Sequence, residues 1–213
     1  MTDPILVDLS EISRLALASA RDRDRPYFLA MLALDARLAR IVAGTSEPML
    51  GQLRLSWWRE QLSTGQRIEH RSDPLLGLID NSWPQGDHSL VELVDGWEAF
   101  LLSLESDQAG WSGVSDGRAR SLKSVAASIG STAEETSIEK ASERWTFAEI
   151  GRRPAIPDDR PDPRARALRL DRAMRPLAVL DGLARRALLN GLPNLMAGRT
   201  FPLAAIRLGI FGR

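Results

Sequence analysis

Apolar residues recur at spacings of three and four along most of this chain, and that period constrains its fold more than any other feature. Ile12, Leu15, Leu17 and Ala18 follow it, as do Leu90, Leu93, Val94, Trp97, Leu101 and Leu104. Such spacing lines one side of a helix. Between Tyr27 and Val42 the apolar set widens to Phe28, Leu29, Met31, Leu32, Leu34, Leu38 and Ile41, which covers most of a helix circumference and predicts a central helix. No stretch alternates in the manner of a strand, and β-branched residues are sparse. The expected architecture is all-α, a bundle of about seven or eight helices.

Boundary signals divide this pattern. A helix is expected over Ser10–Arg21, and a second starts at Pro26 and stops near Gly44. Ser46-Glu47-Pro48 opens a third, Met49 to Leu62. Ser72-Asp73-Pro74 introduces a short apolar turn, Leu75–Ile79. Helices over Ser89–Ser103, Ser115–Ile129 and Thr132–Ile150 follow, the second of them closed by Gly130. A proline-rich break, 151–163, precedes a last helix, Arg164–Leu189, with an expected kink at Pro176. One helix and a short tail cannot build a core alone, so the 213 residues are read as a single domain.

Composition removes several chemistries. The chain has no cysteine, which excludes disulfides, thiolate metal sites and a cysteine nucleophile. Its two histidines, His70 and His88, lie beside acids in polar surroundings. There is no G-x-S-x-G, P-loop, G-x-G-x-x-G or H-E-x-x-H. The longest apolar run, near Leu29–Leu34, ends at Asp35, far short of the ~20 residues of a membrane span. The acidic start MTDPILVDLSE lacks the pattern of a secretory signal. The expected location is cytoplasmic, or peripheral at the cytoplasmic face of the inner membrane.

The formal charge is zero, from 28 basic and 28 acidic residues, but residues 151–213 carry 13 basic and only 5 acidic ones. Neutralisation between the two parts of one fold is the simpler account; a basic surface for an anionic lipid or phosphorylated ligand is the sharper one. That segment holds only Phe201 and Phe211 as aromatics, so no nucleic-acid partner is expected.

Among polar residues, Asp35 stands out. The residues three and four positions away, Met31, Leu32, Leu38 and Ala39, are apolar. A lone carboxylate seldom holds a metal, so an ion pair with Arg37, Arg40 or an arginine of another helix is the favoured reading. Arg54 and Arg59 are read as salt-bridged to Glu47, Glu60 or an acid on another helix. Trp57 and Trp58 are read as packing residues, and Arg166, Arg169 and Arg172 as a solvated stripe.

The stretch 23–62, and most specifically Ser46-Glu47-Pro48-Met49-Leu50-Gly51-Gln52-Leu53-Arg54-Leu55-Ser56-Trp57-Trp58-Arg59, resembles the squalene/phytoene synthase family. Within that family it is similar to a bacterial branch that includes a mitochondrial complex I assembly factor. Weaker similarity extends through Leu93–Gly96, Ser124–Gly130, Trp145–Arg152 and Arg175–Ala178. The resemblance implies an isoprenoid-synthase-like helical bundle. Active members join prenyl diphosphates, using two aspartate-rich motifs that hold Mg²⁺ around the diphosphates, beneath an apolar cavity that shields a carbocation.

The motifs are degenerate here. Alignment through Ser46–Arg59 places Ala39 and Ala43 where the first pair of aspartates belongs, with Asp35 one turn earlier. The second motif corresponds to Glu149, Arg153 and about Pro157. The candidate ligand site is therefore Asp35, Ala39 and Ala43 on one helix, facing Trp145, Glu149, Arg152 and Arg153 on another, with no catalytic residue and no metal ligand assigned. Arg152 or Arg153 is expected to pair with an acid or a bound anion at that mouth. The expected role is non-catalytic: binding a prenyl or lipid ligand, or a protein partner at the membrane surface, in respiratory complex I assembly, with no cofactor. Two alternatives stand beside it. One is an active transferase for farnesyl or geranylgeranyl diphosphate that depends on Mg²⁺. The other is a structural helical interaction module.

Overall fold

In a computed structural model of the chain, residues 4–63, 73–83, 88–104, 110–151, 161–164 and 168–197 are described. Among them are nine helices and no strand: α1 Pro4–Asp8, α2 Glu11–Ala18, α3 Arg25–Ala43, α4 Pro48–Ser63, α5 Pro74–Ser82, α6 His88–Ser103, α7 Trp111–Ser128, α8 Glu135–Glu149 and α9 Arg175–Leu189. The all-α expectation is met.

Helix α3 is central, as its wide apolar surface predicts. Phe28 to Asp35 is buried without interruption, and α3 packs on α1, α2, α4, α5, α6 and α7. Successive helices α6, α7, α8 and α9 pack on one another, and α2 closes against α9. The buried apolar residues form one cluster that runs from Ile5 to Leu195.

The α6–α7 contact is the most extensive in the fold, and glycine makes it possible. A Cβ on Gly96 would lie 2.3 Å from the Gly113 carbonyl oxygen, and one on Gly117 would lie 2.8 Å from the Glu92 carbonyl oxygen. The two backbones meet where only hydrogen fits between them. That contact corrects the expected start at Ser115: α7 begins at Trp111, and Ser115 is buried inside it. Gly113 reads as loop in the sequence, ahead of the expected start at Ser115, because its packing role lies on another helix. The other end behaves as expected: Gly130 has a φ of 65°, and the Ser131 N–H donates back to the Ala126 carbonyl at 2.8 Å.

The last helix also differs. It starts at Arg175 rather than Arg164, and Pro176 occupies its first turn instead of kinking its middle. The preceding residues 168–174 are not helical. They are fixed by Asp171, which accepts from the Thr132 N–H at 2.9 Å, the Ser131 hydroxyl at 2.9 Å and the Met174 N–H at 3.2 Å. Arg169 and Arg172 therefore share no helical stripe, although both are exposed; Arg166 lies outside the described residues. Helix α1 was not expected, and the short apolar turn at Leu75 proves to be a nine-residue helix, whose first turn receives the Asp73 carboxylate on the Leu75 N–H at 2.8 Å.

Arg59 pairs with Asp95, at 2.7 Å, and with Glu98, both on α6, so it ties α4 to its neighbour as an acid on another helix allows. The adjacent tryptophans divide. Trp58 is buried, whereas Trp57 is 46% exposed, so the packing role expected for both holds for Trp58 alone. Met49, Leu50 and Leu53 are exposed on the same side of α4 as Trp57.

Candidate functional site

Asp35 projects from the buried part of α3, where an unpaired carboxylate would be costly. It is not unpaired. Its Oδ1 accepts from the Trp97 indole N–H at 2.9 Å and from Arg118 Nε at 3.0 Å, and its Oδ2 accepts from Arg118 Nη2 at 2.7 Å. This is a two-point guanidinium–carboxylate contact, which fixes orientation as well as charge. Neither Arg37 nor Arg40 is the partner. Arg37 bridges Asp8 and Asp73, and Arg40 pairs with Asp8 at 2.9 Å.

Arg118 completes the cluster. It lies on α7 and is almost wholly buried. Its Nη2 also donates to Glu149 Oε2 at 2.7 Å, and its Nη1 to the Thr146 hydroxyl at 3.3 Å. Both acceptors belong to the last turn of α8. The flat face of the guanidinium rests on the Trp145 ring, 3.8 Å from its centroid, and Trp97 lies 5.6 Å away on another side. Such stacking suits a planar cation that must be held away from water. Four helices, α3, α6, α7 and α8, thus converge on one guanidinium.

The two carboxylates differ in environment. Asp35 is deeply buried, whereas 32% of the Glu149 side chain remains open. Even so, loss of water around Glu149 pushes its carboxyl above the ordinary range; Arg118 opposes this, and the Asp35 charge adds to it. Removal of water works against the Arg118 cation, but Asp35 and Glu149 outweigh it and hold the guanidinium charged.

Above the cluster lies a cavity of about 690 Å³. Asp35, Arg118 and Glu149 line one part of it. Much of the rest is apolar: Leu9, Val42, Trp97, Phe100, Leu104 and Ile150. Ala39 and Ala43 line it too, and their small side chains leave room where longer ones would intrude. This volume and character match sites that take small organic molecules.

Of the residues singled out from sequence, Asp35, Ala39, Ala43 and Glu149 come together around this cavity. Trp145 is close by but buried behind Arg118, away from the cavity surface. Arg152 and Arg153 lie outside the described residues. The arginine opposite the aspartate helix was expected from that stretch; the one the structure places there is Arg118. Sequence reading missed it, although the signal was present. Val114, Leu122 and Val125 share its helical face and are buried, which puts a charged residue in the middle of an apolar stripe.

The donor set does not suit Mg²⁺. A magnesium site needs several oxygens that can converge on one ion. Here both carboxylates are turned onto one guanidinium, and Ala39 and Ala43 offer no ligand atom. Among the described residues no three of His, Cys, Asp or Glu gather in a manner that could hold a metal.

No protein-family profile, no curated protein and no solved structure matches the chain.

Proposed function

We propose that this chain is a squalene/phytoene synthase-like protein of isoprenoid-synthase-like fold that binds an apolar prenyl or lipid ligand without transforming it. The observation that carries this reading is the cavity of about 690 Å³, apolar over much of its wall, whose charged floor is an internal ion cluster. A diphosphate transferase needs carboxylates free to recruit metal. Asp35 and Glu149 instead neutralise Arg118, at 2.7 Å in each case. The resemblance of Ser46–Arg59 supports the family assignment, and the replacement of motif aspartates by Ala39 and Ala43 supports the loss of chemistry.

The exposed side of α4 favours a second element of the reading, association with a partner at a membrane surface. Met49, Leu50, Leu53 and Trp57 present apolar surface there, with Trp57 suited to a boundary between apolar and wet surroundings. Among the described residues no helix is long and apolar enough to cross a membrane, so such association would be peripheral. A role in respiratory complex I assembly follows from the resemblance alone.

The test is incubation of purified protein with radiolabelled farnesyl or geranylgeranyl diphosphate and Mg²⁺. The reading expects no condensation. Squalene, phytoene or hydroxysqualene formed over many turnovers would replace it with the transferase alternative.

A further inference from the structure

The charged floor of the cavity does not balance. Asp35 and Glu149 supply two carboxylates, and Arg118 supplies one guanidinium. The other charged residues of the cavity wall, Asp8 and Arg40, form an ion pair, and Asp8 also pairs with Arg37, which Asp73 holds from its other side, so these two acids and two arginines balance. Arg118 has little left to offer a ligand. Its Nε and Nη2 are engaged by the carboxylates, its Nη1 donates to Thr146, and one face is covered by Trp145. Glu149 is different. Its Oε2 takes the Arg118 bond, its side chain is partly open, and among the described residues its Oε1 accepts no hydrogen bond.

We infer that this site selects a ligand whose apolar chain carries a cationic, amine-type head group, seated on Glu149, over one whose head group is anionic. An ammonium group would donate to the open Glu149 oxygen and neutralise the surplus acid. A diphosphate would meet two carboxylates at close range, with the nearby guanidinium already committed. A neutral hydroxyl can donate to Glu149 without neutralising it, and ranks between them. The direction of the Glu149 shift agrees: its carboxyl is held high by lost water and by Asp35, a penalty that a bound cation relieves.

The inference rests on the proposed cavity-binding reading, and one ligand series separates the two. Farnesylamine, farnesol and farnesyl diphosphate share a chain and differ in head group. Binding is measured by calorimetry on the full chain, with the quenching of tryptophan fluorescence as a second readout, because Trp97 lines the cavity. The expected order is amine, alcohol, diphosphate, with at least about a tenfold gap between first and last. Glu149→Gln, checked for unchanged thermal unfolding, should narrow that gap to about threefold. Ala39→Phe, which places a ring in the cavity, should weaken all three ligands.

Diphosphate binding as tight as the amine would overturn the head-group inference and leave the cavity reading in place. Equal amine binding by wild type and Glu149→Gln would overturn the role of Glu149. Undiminished amine binding in Ala39→Phe would place the amine elsewhere and overturn the site. No binding of any of the three would overturn the cavity reading, and the inference with it.

Discussion

Arg118 on α7 and Asp35 on α3 are 83 residues apart in sequence, yet they meet through two hydrogen bonds of 3.0 and 2.7 Å in the buried centre of the molecule. The pair sets the local design. Arg118 needs Asp35 and Glu149 to remain charged away from water, and Trp97 and Trp145 help to enclose it. The same contacts draw α3, α6, α7 and α8 to one point and define the floor of the cavity above.

Removal of either partner should be severe. Asp35→Ala leaves a buried guanidinium with only the partly open Glu149, and leaves the Trp97 N–H without its acceptor. A loss of about 3–5 kcal/mol is expected in chemical denaturation. A double change, Asp35→Leu with Arg118→Met, should lose less than the sum of the two single changes, because it removes both charges together.

A second buried pair makes an independent case. Arg144 on α8 donates from Nε to Asp181 on α9 at 2.6 Å, and both side chains are buried. Lost water pushes the Asp181 carboxyl upward, and Arg144 opposes that push. Asp181→Ala should destabilise by about 3–5 kcal/mol, again by stranding a cation. Because this pair is not among the cavity residues, ligand affinity measured well below the unfolding temperature should be unchanged.

Gly117 tests the α6–α7 contact. A methyl group there would press on the Glu92 carbonyl and the Leu93 backbone, neither of which is a flexible side-chain end. Gly117→Ala should cost about 1–3 kcal/mol by forcing the helices apart. Since Arg118 is the next residue, ligand binding should weaken as well, in contrast to Asp181→Ala.

Asp171 gives a pH signature. Partial burial works against its negative charge, but the Thr132 N–H, Ser131 hydroxyl and Met174 N–H outweigh it and hold the carboxyl below the ordinary aspartate range. A carboxylate whose pKa is depressed on folding stabilises the fold above its unfolded pKa, and that contribution fades as pH falls through the folded value. Asp171→Asn should therefore be less stable than wild type at pH 7, with the difference shrinking below about pH 4. Paired denaturation curves at pH 7 and pH 3 measure this.

Much of this fold is legible in the sequence because its elements are local. The apolar circumference of α3, the proline in its first turn and the glycine after α7 each act within a few residues, and each lies where the pattern puts it. What the pattern hides is set by distant partners. Gly113 looks like loop until α6 lies against it, and Asp171 stops the backward extension of α9 through contacts with residues 131 and 132. The site follows the same division. A lone Asp35 among apolar neighbours announces a buried ion pair, but its partner could come from several arginines, and only packing selects Arg118. Trp57 shows the converse, a residue that reads as core and stands nearly half exposed.

The central claim is that Asp35 and Glu149 serve Arg118 rather than a metal–diphosphate centre. Calorimetry with a prenyl thiodiphosphate, in the presence and absence of Mg²⁺, tests it most directly. The account predicts no gain in affinity from Mg²⁺. Tight binding that requires Mg²⁺, and that is lost in a folded Asp35→Ala variant, would contradict it.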